Sequence, residues 1–240
     1  MDVNSRPLRG LVFDKDGTLF DFNATWGAWA RQVFTAETRG DPRRLAALAN
    51  AMGYDLHTGL FQPTSVVIAS TARDIAQAAL PHIAETSIDA LMTRWNAAAV
   101  TAPQVEVTPL VPFLADLKAK GYVLGLATND GETPARAHLA AANILPFWDF
   151  IAGSDSGFGG KPAPGQLQQF CALTGLAPAA CAMIGDSTHD LAAGRAAGMA
   201  CIAVLSGVAT RADLAPHADI VLDSIADLPA WLARAGAPLI

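Results

Sequence analysis

Cysteine, positive charge and long apolar runs are all in short supply in this chain of 240 residues. Its three cysteines, Cys171, Cys181 and Cys201, are odd in number and form no C-x-x-C pair, so a reduced, cytoplasmic setting is expected. Each reads as a small buried apolar residue. The 16 lysines and arginines are dispersed without a basic run, and the formal net charge is -6. No nucleic-acid partner is therefore expected. No apolar run approaches the about 20 residues that cross a bilayer, and "MDVNSRPLRG" lacks the apolar stretch of a signal peptide. No membrane association is expected.

Hydrophobic residues make up 52% of the chain and charged ones 16%, which allows a substantial core and argues against disorder. The length fits one large domain, or one domain with a smaller insert. Residues 8–14 read as a short strand, apolar on both faces. From about Asp21 to Ala102 strand signal almost vanishes. Trp26, Trp29, Ala30, Val33 and Phe34 recur at helical spacing. "DPRRLAALANAMG" opens on Asp-Pro and closes on Gly53, as a capped helix does. "SVVIASTARDIAQAALPHI" and "SIDALMTRWNAAAV" read as two further helices.

After Pro103 helices and strands alternate. Helices are expected at "LVPFLADLKAKG", "TPARAHLAAANI", "APGQLQQFCALTG", "THDLAAGRAAG" and "IADLPAWLARAG". Strands are expected at "YVLGLATN", Phe150–Ala152, "CAMIGD", "ACIAVLSG" and "ADIVLDS". Such alternation implies an α/β fold, a Rossmann-like parallel sheet covered on both faces. Seven residues cannot fold alone, so the first strand belongs to that sheet. The expected division is a core of residues 1–20 and 103–240 with an inserted α-helical cap of residues 21–102.

Ligands of open parallel sheets bind beyond the carboxyl ends of the strands, and the polar residues collect there. Asp14 and Asp16 follow the first strand. Thr128 and Asn129 follow "LGLA". Asp186 and Ser187 follow "AMIG", with Asp190 one helical turn on, and Lys161 lies in the glycine-rich loop "SGFGGKPAPG". Asp14, Asp16 and Asp186 make a poor cluster without a cation, and hard oxygen ligands suit Mg²⁺. Thr128 and Lys161 are donors suited to phosphate. A carboxylate can attack phosphorus, and a second acid two residues away can carry the proton. Taken singly, Lys161 also fits a solvated loop lysine, and Asp190 an acid favoured at a helix N-terminus. Asn129 fits phosphate contact and local loop bonding equally.

"DKDGTL", "ATN", "GKPAPG" and "GDSTHD", in this order, resemble the four motifs of haloacid dehalogenase superfamily phosphatases, and the helical insert lies where that family carries its cap. Within the superfamily the chain looks most like the phosphoglycolate phosphatases. The resemblance implies an Mg²⁺-dependent hydrolysis of a small phosphomonoester by a monomer or homodimer. It implies Asp14 as nucleophile and Asp16 as general acid/base. It implies metal bound by Asp14, the Asp16 backbone carbonyl and Asp186, with Asp190 supporting. Thr128, Asn129 and Lys161 would contact the phosphoryl group.

Other readings fit less well. An EF-hand has glycine sixth, and here Gly17 is fourth. A P-loop fails at Asp155 and Pro162. The superfamily's dehalogenases lack the second acid, and its phosphomutases usually carry Val where Thr18 stands. Receiver domains order their motifs differently and are about half this length. Trp26, Trp29 and Trp95 read as core or interface, and His57 and Arg73 as structural more often than as leaving-group contacts. "GYDLHTGLFQPTSVV" is expected to face the substrate. His189 is expected to point away.

Overall fold

Four buried residues, Gly10–Phe13, form strand β1, and the chain leaves the sheet at Asp14. The computed structural model describes residues 8–68, 70–84 and 87–235. Further strands are β2 (Val123–Ala127), β3 (Phe150–Ala152), β4 (Cys181–Gly185), β5 (Ala200–Val204) and β6 (Ile220–Leu222). They form one parallel sheet of order β3-β2-β1-β4-β5-β6. The order reverses at β1, so β2 and β4 flank it. Phe13 lies in register with Leu126 and Ile184. Three neighbouring strands thus end level, and Asp14, Thr128 and Asp186 leave the same edge.

Between β1 and β2 run α1 (Phe22–Glu37), α2 (Pro42–Ala51), α3 (Ala72–Ala79), α4 (Ile88–Ala99) and α5 (Leu110–Ala119). Asp21 caps α1 by accepting from Ala24 N at 2.8 Å, and Asp41 caps α2 ahead of Pro42. The rest of the chain adds α6 (Glu132–Ala141), α7 (Gly165–Thr174), α8 (Thr188–Ala197), α9 (Arg211–Leu214) and α10 (Leu228–Ala235). The one-turn α9 leaves no periodic signal in the sequence.

One expected helix differs. Over "SVVIASTARDIAQAALPHI", residues 65–68 form a turn and the α-helix begins only at Ala72; Ala69 lies outside the described residues. Val66, Val67 and Ile68 are β-branched and disfavour helix. The Ser65 hydroxyl donates to the Met52 carbonyl at 2.5 Å and accepts from Val67 N–H. Thr71 and Asp74 then form a capping box that starts α3. The last expected helix runs to Gly236, which also lies outside the described residues.

Apolar side chains sort into separate clusters. The buried members of one come only from residues 22–99, with Phe34, Leu48, Met52 and Leu91 fully buried at its centre. The others come from residues 8–20 and 110–232 and cover both faces of the sheet. Where the chain passes between these regions, Phe20 pairs antiparallel with Glu106, and Asp21 N–H donates to the Val105 carbonyl at 2.8 Å. The two crossings run side by side. All three cysteines are buried and unpaired in disulfides. Burial pushes the Cys181 thiol up to about 12 and the Cys201 thiol to about 11, so both act as apolar fillers.

Phe170 of α7 is fully buried against the sheet. A Cβ at Gly10 or Gly125 would meet its ring at 2.9 and 2.7 Å. These two strand glycines mark a close approach rather than a bend. Phe170→Ala is expected to lower stability by about 3–5 kcal/mol. Urea unfolding measures this, and a loss below about 1 kcal/mol would contradict the packing described.

Candidate active site

Asp14 follows β1 directly, its N–H bonded to the Ile184 carbonyl at 2.9 Å. Gly17, at φ 82°, turns the chain back immediately. A Cβ there would collide with the Asp186 carboxylate, so glycine is needed for space as well as for backbone. The turn is held by Ser206, whose hydroxyl donates to the Gly17 carbonyl at 2.7 Å. Thr18 is buried, and its hydroxyl donates to Asp186 Oδ1 at 3.2 Å.

Lys161 is 4% exposed, and its Nζ lies 2.5 Å from Asp14 Oδ1 and 2.6 Å from Asp190 Oδ1. The solvated-lysine reading is therefore excluded. Asn129 places this lysine. Its Oδ1 accepts from Lys161 N–H at 2.8 Å and its Nδ2 donates to the Lys161 carbonyl at 2.9 Å. The loop bonding weighed for Asn129 is present, and its amide holds protein backbone. Thr128 is buried, its Oγ1 accepts from Asp130 N–H at 3.1 Å, and Gln166 Nε2 donates to its carbonyl at 3.0 Å. The hydroxyl keeps its own proton for donation.

Asp190 serves two ends of its carboxylate. One oxygen meets Lys161, and the other accepts from Ser187 N–H and Oγ at 3.0 and 2.7 Å, closing a capping box on α8. Asp14, Asp186 and Asp190 each offer an oxygen within 4.8 Å of the others. Burial and the neighbouring carboxylates push the Asp14 carboxyl up to about 7, against the opposing pull of Lys161. Burial, then Asp14 and Asp190, push Asp186 well above the usual carboxylate range. One ammonium does not neutralise three buried carboxylates. This donor set fits a hard divalent cation.

A second buried lysine went unread in the sequence. Lys15, fully buried, lies 2.9 Å from Asp16 Oδ2, 3.1 Å from Asp130 Oδ2 and 3.0 Å from His138 Nδ1. Its Nζ sits 5.1 Å from the centre of the Trp26 ring. Lysine donates only, so His138 Nδ1 accepts and its Nε2–H donates to the Ala99 carbonyl at 2.7 Å. Asp16, half-buried, is held by this lysine beside the cavity. Asp130 and His138 carry no motif, and Lys15, which joins them, lies more than a hundred residues before either in sequence.

The sheet edge and the helical segment enclose an open cavity of about 790 Å³, counting the solvent it shares. Asp14, Asp16, Thr128, Lys161, Asp186 and Asp190 all line its floor. Asn129 and His189 line it as well, and His189 thus reaches the site instead of pointing away. Of "GYDLHTGLFQPTSVV" only the end, Val67, reaches the cavity wall. His57 is exposed elsewhere, and Arg73 pairs with Asp89 at 3.1 Å on the surface. Trp26, Trp29 and Trp95 are core residues and cavity wall at once.

A parallel sheet with acids at adjacent strand ends and a helical insert after the first strand defines a class, and sequence comparison agrees with it. The profile of the family described as haloacid dehalogenase-like hydrolase matches residues 8–198. The chain belongs to this family and is an enzyme of its phosphatase kind. It is 30% identical over 234 residues to a phosphoglycolate phosphatase of Yersinia pseudotuberculosis, covering 94% of each chain. It is 34% identical over 128 residues to the probable phosphatase IndB of Dickeya dadantii, covering 53% of this chain and 56% of that one. Among solved structures, a HAD family hydrolase from Deinococcus radiodurans with bound phosphate and sodium is 25% identical. The TM-score is 0.66, with 97% of this chain and 98% of that one covered.

Burial and the Lys15 charge hold the His138 imidazole down at about 4, below its ordinary 6.5. The unfolded chain therefore takes up this proton first as pH falls. Stability linked to neutral His138 is intact above about pH 6.5 and is lost as pH drops towards 4. The loss is on the order of 2–3 kcal/mol. Urea unfolding of the wild type and His138→Gln between pH 7 and 5 checks this: the variant's curve should be flatter. Equal slopes would mean that His138 does not carry the effect.

Proposed function

We propose that this enzyme is an Mg²⁺-dependent phosphatase that hydrolyses a small phosphomonoester through a phosphoryl group carried on Asp14. In this reading residues 21–102 act as a cap over a catalytic core of residues 1–20 and 103–240. One observation carries it: Asp14 and Asp186 at the ends of adjacent strands and Asp190 in the first turn of α8 cluster beside Lys161, which pairs with Asp14 and Asp190, and all face one cavity with Thr128.

Asp14, Asp186 and the Asp16 backbone carbonyl would hold the ion, with Asp190 supporting them. When bound, the ion supplies positive charge that offsets the repulsion between Asp14 and an anionic phosphate ester. Asp14 Oδ forms a bond to phosphorus as the bond to the leaving oxygen breaks, and Asp16 gives that oxygen a proton. Asp16 then takes a proton from water as the water oxygen bonds to phosphorus and the bond from phosphorus to Asp14 Oδ breaks, which releases inorganic phosphate and restores the Asp14 carboxylate. Lys161 and Thr128 donate to the equatorial phosphoryl oxygens. Asn129 positions Lys161 by both of its amide groups. The absence of a C-x-x-C pair and the three buried thiols fit a cytoplasmic setting.

Asp14→Asn is expected to abolish phosphate release, by about 1,000-fold or more, with circular dichroism unchanged, because an amide does not attack phosphorus. Asp16→Asn should slow both steps by about 10²–10⁴-fold. Free phosphate is measured with Mg²⁺ present. Near-normal release from Asp14→Asn would overturn the covalent route, and isomerised substrate without free phosphate would point to a mutase instead.

A further inference from the structure

Resting on the phosphatase reading above, we propose that the alcohol released by this enzyme is uncharged and apolar, with an alkyl or aromatic body. The cavity has two chemically distinct halves. The strand-end half carries the charged groups that suit a phosphoryl group. The helical half is walled by Trp26, Trp29, Val67, Ile75, Met92 and Trp95, and it is this half that faces the leaving group.

A leaving group with a carboxylate needs a cation here. None of the arginines of the helical segment lines the cavity. Arg31 donates to the Leu56 carbonyl, Arg73 pairs with Asp89, and Arg94 pairs with Glu37. Among the described residues, the basic side chains that line the cavity are Lys161, already held by Asp14 and Asp190, and His189 on the strand-end side. A polyhydroxylated leaving group fares no better. Among the described residues of the helical wall, only Ser70 and Asn96 offer polar side-chain groups besides the indoles, and unmatched hydroxyls are penalised on burial. The Trp29 and Trp95 indole N–H groups are buried without an oxygen or nitrogen acceptor. That leaves each to an edge-to-face ring neighbour or to a neutral acceptor on the occupant. Kinship to phosphoglycolate phosphatases is unaffected, since the inference concerns only what this helical wall accepts.

The test compares ethyl, butyl and 2-phenylethyl phosphate, all esters of primary alcohols, with 2-phosphoglycolate and glucose 6-phosphate, using the full chain and Mg²⁺. kcat/KM should rise about fourfold per buried methylene and be at least tenfold higher for 2-phenylethyl phosphate than for 2-phosphoglycolate. Met92→Lys, which puts a cation in the wall, should reverse that preference. A wild-type preference for 2-phosphoglycolate or glucose 6-phosphate would overturn the proposal and leave the phosphatase reading standing. Tryptophan fluorescence with non-hydrolysable 2-phenylethylphosphonate separates the two further. Binding without turnover of any ester would overturn the phosphatase reading and support the apolar wall, whereas turnover with no binding of the phosphonate would overturn the wall.

Discussion

Three buried carboxylates facing one buried ammonium is the constraint around which the rest of this molecule is arranged. Asp14, Asp186 and Asp190 arrive from β1, β4 and the first turn of α8, and Lys161 from the loop before α7. Left to themselves, buried like charges neutralise by taking up protons, and Asp14 and Asp186 are both shifted in that direction. In the proposed reaction Asp14 must be ionised, so the acids need positive charge beyond what Lys161 brings. The fold keeps them together because level strand ends, a glycine turn and a capping box each fix one member.

A second buried lysine ties that arrangement to the helical segment. Lys15 stands between Asp14 and Asp16 in sequence, yet its charge is matched by Asp16, by Asp130 of the next strand's loop and by a neutral His138. The same ammonium lies against Trp26 of α1, and His138 reaches the carbonyl of Ala99 in α4. Helices that wall the cavity are thereby in contact with the residues that would move protons in it. A shift of the helical segment would disturb Lys15 and, through it, the hold on Asp16.

Much of this was legible in the sequence, for identifiable reasons. An apolar run ending in Asp14 and another ending in Asp186 are local patterns, and the parallel-sheet rule brings their ends together without further information. The Asp-Pro signal likewise marks a helix start from a few residues. Lys15, Asp130 and His138 were not legible, because a buried polar cluster is made by long-range packing and leaves no periodicity. Residues 65–68 were misjudged for the opposite reason: their apolar spacing mimics a helix, while three β-branched side chains and the Ser65 contacts favour a turn. His189 follows a helix cap, and its direction depends on the exact rotation of α8 against the sheet. The walls of the cavity were visible only as tryptophans at helical spacing, a pattern that any buried helix shows.

The central claim is that the carboxylates of Asp14 and Asp186 form one cation site. Isothermal titration calorimetry of the purified chain with Mg²⁺ at neutral pH, in buffers of different ionisation enthalpy, tests it most directly. The account predicts one saturable site whose occupation releases protons, with both the heat and the proton release lost in Asp186→Asn. Unchanged Mg²⁺ binding in that variant, or no binding to the wild type, would contradict it.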